Sequence, residues 1–321
     1  MNNDNRKVAL IGTGMVGMSF AFALTNHNLC NELVLIDLDK EKAEGEAMDL
    51  NHGMAFSPAR MLIYSGEYAD CHDADIVVVT AGSNQKPGET RLQLLERNAA
   101  ILSDITEQVV RNGFDGIFLV ASNPVDLMTM VVKDVSGFES NRVLGSGTTL
   151  DTARFRYLVG NEFQVDPRNV HGYVIGEHGD SEFVPWSQAM ISTVSADEIC
   201  RLSDKCQMDR LHELEEEVRN AAYVVIQAKR ATYYGIGMAL VRIVRAIFAD
   251  ENSVLTVSSY LTGEFGETGL YIGVPSIVGR NGVRRVLPVR LTPEELEKFH
   301  YSCSVLRDNY HKLRETAHEK R

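Results

Sequence analysis

The stretch VALIGTGMVG, residues 8–17, decides the fold. A short apolar run meets Gly12, Gly14 and Gly17 in a G-x-G-x-x-G pattern, and helix-compatible sequence follows. Strand, glycine turn and helix in that order make a phosphate-binding turn. Gly12 permits the tight bend, Gly14 lets the backbone approach a pyrophosphate resting on the helix N-terminus, and Gly17 allows close helix–strand packing. Alone the pattern is weak, because any glycine turn before a helix imitates it. Its second half is Asp37, at the end of LVLID (33–37). An acid there accepts hydrogen bonds from the adenosine ribose and repels the extra phosphate of NADP, so NAD is the expected cofactor.

Outward from this turn, β-rich runs alternate with helix-length segments. The runs are VALIG (8–12), LVLIDL (33–38), MLIYS (61–65), DIVVVT (75–80), GIFLVAS (116–122) and RVLGSG (142–147). They are apolar nearly throughout, as strands buried on both faces of a parallel sheet are. Helices are expected over 16–28, 40–52, 90–111 and 124–135. The repeated β-α-β order predicts an α/β fold, a Rossmann-type doubly wound parallel sheet over residues 1–146. Residues 147–321 read as an α+β domain. A helix is expected at 148–160 and long helical material over 195–249, interrupted near Tyr233–Gly235. The strands SVLTVSSYL, GLYIGV and PSIVGRNGVRRVLPV follow, with Asn281-Gly282 as a hairpin turn. Thr292, Pro293 and Glu295 form a capping box at the start of the last helix.

At 321 residues the chain suits two domains, and 44% hydrophobic with 24% charged residues is a globular composition. The net charge of −12 and pI near 5.3 argue against a broad nucleic-acid surface. Five cysteines (Cys30, Cys71, Cys200, Cys206, Cys303) form no CxxC pair, so free thiols are expected, without a metal site. The N-terminal apolar stretch is too short for a signal peptide, and no run approaches a membrane helix. A cytoplasmic protein is expected.

Two further segments carry chemistry. GEHGDSE (176–182) sets His178 between glycines, and LDTARFR (150–156) puts Asp151 and Arg154 one helical turn apart on one face. A carboxylate beside an imidazole orients it and favours its charged form, and an arginine grips a carboxylate through two parallel bonds. Spacing does not bring His178 to Asp151, however. A loop histidine and a plain helix ion pair fit the residues equally well. The loop AGSNQKPGETR (81–91) leaves a buried strand with an amide and three charges, bends at Pro87-Gly88 and ends on Arg91.

Taken in order, GTGMVG, AGSNQKPGETR, ASNPVD, GSGTTLDTARFR, GEHGDSE and KRATYYGIGMAL resemble the blocks of bacterial L-lactate dehydrogenases, within the lactate/malate dehydrogenase superfamily. The resemblance runs from about residue 6 to the C-terminal helix. It implies NAD-dependent reduction of pyruvate to L-lactate, the final step of homolactic fermentation. His178 would be the acid/base, Asp151 its partner, Arg154 the clamp on the substrate carboxylate and Arg91 the cation that polarises the carbonyl from a mobile loop. Asn123 would touch nicotinamide and substrate, and Thr232 would line the substrate pocket. Gly12, Gly14, Val16, Gly17, Asp37, Lys42, Tyr68, Gly82, Ser83 and Ala121, with Asn123, would line the NAD groove.

The same fold serves malate, whose second carboxylate needs a cation. In malate enzymes that loop position is typically arginine; here it is Gln85, which favours pyruvate over oxaloacetate. Lys86 is expected to face solvent, as neighbours on an extended loop point opposite ways. Arg156 and His171 match positions that bind fructose 1,6-bisphosphate between subunits of related enzymes, implying activation by that sugar and a homotetramer. The rival from another class, a non-catalytic NAD-binding protein, would have lost some of His178, Asp151, Arg154 and Arg91, and all four stand.

Overall fold

A computed structural model describes residues 6–57, 60–83, 88, 90–202 and 208–319. The first half alternates β1 (Lys7–Ile11), α1 (Met15–His27), β2 (Glu32–Ile36), α2 (Lys40–Gly53), β3 (Leu62–Ser65), β4 (Ile76–Val79), α3 (Arg91–Arg111), β5 (Ile117–Val120), α4 (Val125–Ser136) and β6 (Val143–Gly145). The six strands pair in parallel in the order β3-β2-β1-β4-β5-β6. This is the doubly wound arrangement, and the strand order reverses between β1 and β4.

Both faces of the sheet are covered, which explains the unbroken apolar runs. Along β1, Val8 and Leu10 join a core with Phe20 and Leu24 of α1. Ala9 and Ile11 point the other way, into a core with Leu102 of α3 and Met128 of α4. With period two, each strand must be apolar at every position to satisfy two cores. Fully burying one such aliphatic side chain contributes about 1.5–3 kcal/mol.

The second half comprises α5 (Thr149–Phe163), the short strands β7 (Val170–His171), β8 (Met190–Ile191) and β9 (Val194–Ser195), and α6 (Ala196–Leu202), α7 (Met208–Lys229) and α8 (Tyr234–Phe248). It ends with β10 (Ser253–Thr262), β11 (Thr268–Gly279), β12 (Gly282–Val286) and α9 (Pro293–Glu319). β7, β8 and β9 form a small sheet over a third core built on Phe155, Val174 and Leu214.

β10–β12 do not form a sheet of their own. β10 runs antiparallel beside β6, with Ser258 opposite Gly145, and the three strands extend the first sheet to nine. Small residues permit this join. Gly147 has φ +52°, and a Cβ there would lie 2.4 Å from the Ser258 nitrogen. A larger residue would push β10 off β6, in a backbone region only glycine adopts readily.

GLYIGV and PSIVG also prove to be one strand, continuous through Pro275. The Pro275 carbonyl accepts from the Leu287 N–H at 2.7 Å, so its peptide edge faces the end of β12 rather than β10. The missing N–H therefore breaks no β10–β11 bond. The last helix opens with reciprocal bonds between Thr292 and Glu295, at 2.9 and 3.2 Å.

Cys30, Cys71 and Cys303 are free and buried, and burial pushes each thiol up to about 12. Cys200 corrects the expectation of free thiols throughout. It is disulfide-bonded. Counting cysteines carries no information on which sulfurs meet in space. Among the described residues, no helix is long and apolar enough to cross a membrane.

Candidate active site

A cleft of about 450 Å³ opens where the strand order reverses, at the C-terminal ends of β1, β2 and β4. Ligands of open α/β sheets bind at this crevice. Gly12, Gly14, Asp37, Lys42, Tyr68, Gly82 and Ser83 all line it, with Leu38, Thr80, Ala81 and Ile101. A Cβ on Gly17 would sit 2.0 Å from the Gly12 carbonyl oxygen, so α1 starts hard against the turn. A Cβ on Gly14 would meet nothing within 4 Å. That open cradle lies at the N-terminus of α1, where unpaired N–H groups and the helix dipole favour an anion.

Asp37 accepts from the Thr13 N–H (2.7 Å), the Thr13 hydroxyl (2.9 Å) and the Asp39 N–H (3.1 Å). Burial pushes its carboxyl up, but these donors outweigh burial and hold it below its usual value. Asp37 is therefore anionic, as a ribose acceptor must be. Asp39 caps α2 by accepting from the Lys42 N–H at 3.1 Å. That bond sets the start of α2, with Lys42 lining the cleft. The residues fit a dinucleotide. Val16 lies in the first turn of α1, and Ala121, half-buried, follows β5 with its N–H bonded to the Val79 carbonyl at 2.8 Å.

The second cluster surrounds His178. Its Nδ1 lies 2.7 Å from Asp151 Oδ2, while Arg154 Nη1 donates to Asp151 Oδ1 at 2.6 Å. The histidine that spacing could not locate thus meets the helix pair 27 residues away. Asp151 is 1% exposed. Burial alone would raise its carboxyl, but the His178 and Arg154 charges overcome this and hold it below the carboxylate range. Burial lowers the His178 imidazole; the Asp151 charge and hydrogen bond outweigh it and raise the ring well above its usual value. With Nδ1 engaged, Nε2 is the nitrogen left for a substrate.

The loop carrying His178 is pinned at both ends. Ile175 and Phe183 exchange N–H···O bonds of 3.0 Å, and Gly176 and Gly273 of β11 exchange bonds of 2.9 and 3.0 Å. The His178 N–H donates to Asp126 Oδ2 at 2.8 Å, and the Glu177 N–H donates to the Ser302 hydroxyl of α9 at 2.7 Å.

Sequence reasoning missed three supporting residues. Asp126, 1% exposed at the start of α4, holds the His178 backbone and accepts from Ser258 at 2.5 Å. Burial pushes its carboxyl up to about 6. Asn98 of α3 accepts from the Ser83 N–H (2.9 Å) and donates to the Asn123 carbonyl (3.1 Å), joining two loops at the cleft. Glu182 lies beside His178. The only signal for Asp126 and Glu182 was an acid within an otherwise apolar or glycine-rich motif.

Thr232 is half-buried in the connection between α7 and α8. Gly235, three residues on, packs close enough to Leu150 of α5 that a Cβ would lie 2.8 Å from its Cδ1. Arg156 Nε and Nη2 lie 3.4 Å from the Gly172 carbonyl, next to the exposed His171. Burial lowers the Arg156 guanidinium. Gln85, Lys86 and Pro87 lie outside the described residues. Arg91 opens α3 behind its Thr90 cap, but its side chain is likewise outside them.

Residues 6–145 match the lactate/malate dehydrogenase NAD binding domain, and residues 148–317 match the alpha/beta C-terminal domain of the same family. An L-lactate dehydrogenase of Geobacillus sp. (strain WCH70) is 55% identical over 302 residues, covering 94% of this chain and 95% of the relative. One from Priestia megaterium is 53% identical over the same share of each. A lactate dehydrogenase from a deep-sea metagenome library superposes with a TM-score of 0.95 at 48% identity, over 96% of this chain and 99% of its own. The minor L-lactate dehydrogenase of Enterococcus mundtii, in its ligand-bound form, gives 0.94 at 49%, over 96% and 98%. The chain belongs to the lactate/malate dehydrogenase family of NAD-dependent oxidoreductases, and resembles its bacterial L-lactate members.

Proposed function

We propose that the protein is an L-lactate dehydrogenase, interconverting pyruvate and L-lactate with His178 as acid/base. The observation that carries this is one buried carboxylate, Asp151, bonded at once to His178 (2.7 Å) and Arg154 (2.6 Å). That arrangement holds an imidazolium ready to give a proton beside a guanidinium that grips an anion. When bound, NADH supplies the hydride for the carbonyl carbon of pyruvate. His178 gives its proton to the carbonyl oxygen, while the imidazolium and Arg91 stabilise charge growing there. Arg154 holds the carboxylate, which fixes the orientation. Asn123 and Thr232 are assigned to the walls of the site, and Gln85 to recognition of the far end of the substrate. The proposed physiological role is the last step of homolactic fermentation, in the cytoplasm.

Oxidation of NADH with pyruvate against oxaloacetate tests this directly. Pyruvate is expected to win by orders of magnitude, because Gln85 leaves a second carboxylate unpaired. Gln85→Arg is expected to move preference toward oxaloacetate. Equal rates on both substrates in the parent enzyme would overturn the lactate assignment.

We further propose a homotetramer activated by fructose 1,6-bisphosphate at Arg156 and His171. An arginine and a titratable imidazole on adjacent surface suit a phosphate. Met15 and Phe22 of α1, Met48 of α2 and Met238 of α8 are all at least half exposed, apolar side chains that a subunit contact would cover. The sugar is expected to steepen the low-pyruvate end of the saturation curve and to raise the mass seen by light scattering. Unchanged curves and a monomer mass would end both ideas.

A further inference from the structure

Glu182 is a carboxyl that the proposed mechanism does not use. It is 4% exposed, and its Oε2 has no hydrogen-bond partner among the described residues. That oxygen lies 3.7 Å from His178 Nδ1, on the side of the ring already bonded to Asp151. The separation is too long for a hydrogen bond, so Glu182 acts on the ring through its charge. Its backbone is fixed: the Phe183–Ile175 bridge adjoins it, and Arg219 Nη2 of α7 donates to its carbonyl at 3.2 Å. An orphaned carboxyl oxygen in so enclosed a place costs free energy unless the group has a use or a proton.

We propose that Glu182 is a positioning residue that tunes the acidity of His178, its ionisation keeping the imidazole protonated as the medium becomes alkaline. Asp151 of α5 and Glu182 of its own loop face the ring; Arg154 of α5 pairs with Asp151, Asp126 of α4 holds the His178 N–H, and the Glu177 carboxylate accepts from the Ser181 hydroxyl. Asp151 is already ionised and Glu182 shares its pocket. Two carboxylates at one site do not ionise independently. Burial first, and then the Asp151 charge, push Glu182 up to about 8. Below that pH Glu182 carries a proton and adds little field at His178. Above it the new charge opposes loss of the His178 proton. Pyruvate reduction needs protonated His178, so it is present below the folded pKa of the ring and lost as pH rises through it. Glu182 therefore moves that loss to higher pH.

The inference rests on the acid/base role proposed for His178. In Glu182→Gln, which keeps shape and removes the charge, kcat near neutral pH is expected to stay within a few-fold of the parent. The alkaline limb of kcat/KM for pyruvate is expected to fall by about one pH unit, with the KM for NADH unchanged. NMR titration of the His178 ring in the unliganded protein should give the same downward shift without any turnover. Superimposable titration curves for parent and variant overturn the proposal, whatever the activity. A shifted titration in a protein inactive on pyruvate supports the tuning and rejects the lactate reading instead. If Glu182→Gln fails to fold, Glu182→Asp carries the test: its shorter side chain moves the charge away from the ring, and the same downward shift, though smaller, is expected.

Discussion

Replacing Asp151 by asparagine is expected to lower kcat for pyruvate reduction by about 100- to 10,000-fold, the range seen when an acid/base group loses its tautomer or charge. The carboxylate can only accept, so it pairs with a ring that has a proton on Nδ1 and leaves Nε2 free to carry the reacting one. An asparagine amide can donate instead. It then pairs with an unprotonated Nδ1 and stabilises the neutral ring, which is the wrong acid for reduction. Asp151 raises the His178 ring well above its usual value. Without it the ring loses its proton at lower pH, and the alkaline limb of the reduction profile falls with it. NADH binding should barely change, since the dinucleotide cleft lies at the ends of β1, β2 and β4. The expected signature is thus a large loss of kcat, an alkaline limb moved to lower pH and a stable Kd for NADH. A kcat within ten-fold of the parent and an unmoved profile would remove Asp151 from the mechanism.

The residues that produce this effect were unevenly legible in the sequence. Six strands and four helices of the first half lie within a residue or two of where apolar runs and turn residues put them. Strands such as Ile76–Val79 face two cores and carry an unmistakable local pattern. Asp37 was legible because a short βαβ unit fixes its place relative to the glycine turn. What failed was non-local. Nothing around Ser258 states that it will lie opposite Gly145, so the joining of β10–β12 to the first sheet was not legible. Pro275 looked like a boundary because the sequence does not reveal which edge of a strand is unpaired. His178 and Asp151 meet only because β11, α4 and α9 tether the loop between them. Asp126 holds the His178 backbone and Glu182 lies beside the ring, and an acid in a motif does not announce what it faces.

Arg154 gives the other large effect, and the choice of substitute separates charge from geometry. Arg154→Leu removes the cation from a carboxylate buried at 1% exposure. Breaking one side of a buried ion pair costs about 3–5 kcal/mol of stability, so Tm is expected to drop; separately, losing the charged grip on the substrate carboxylate costs about 2–5 kcal/mol, so kcat/KM for pyruvate is expected to fall by about 100-fold or more. That variant mixes lost binding with a disturbed Asp151. Arg154→Lys is the more informative change. The ammonium restores the charge beside Asp151, but it is a point donor without the planar fork. One guanidinium nitrogen is committed to Asp151 Oδ1 at 2.6 Å, and among the described residues the rest of the fork makes no other bond. A lysine that pairs with Asp151 has no second edge to present to a substrate carboxylate. Stability should therefore recover in Arg154→Lys, while KM for pyruvate stays raised by about ten-fold or more and kcat falls with the lost orientation. The measurement is a pair: a thermal melt and a pyruvate saturation curve on the same preparation. Recovery of both would mean that the site needs only a positive charge, and Arg154 would be a partner of Asp151 rather than the grip on the substrate.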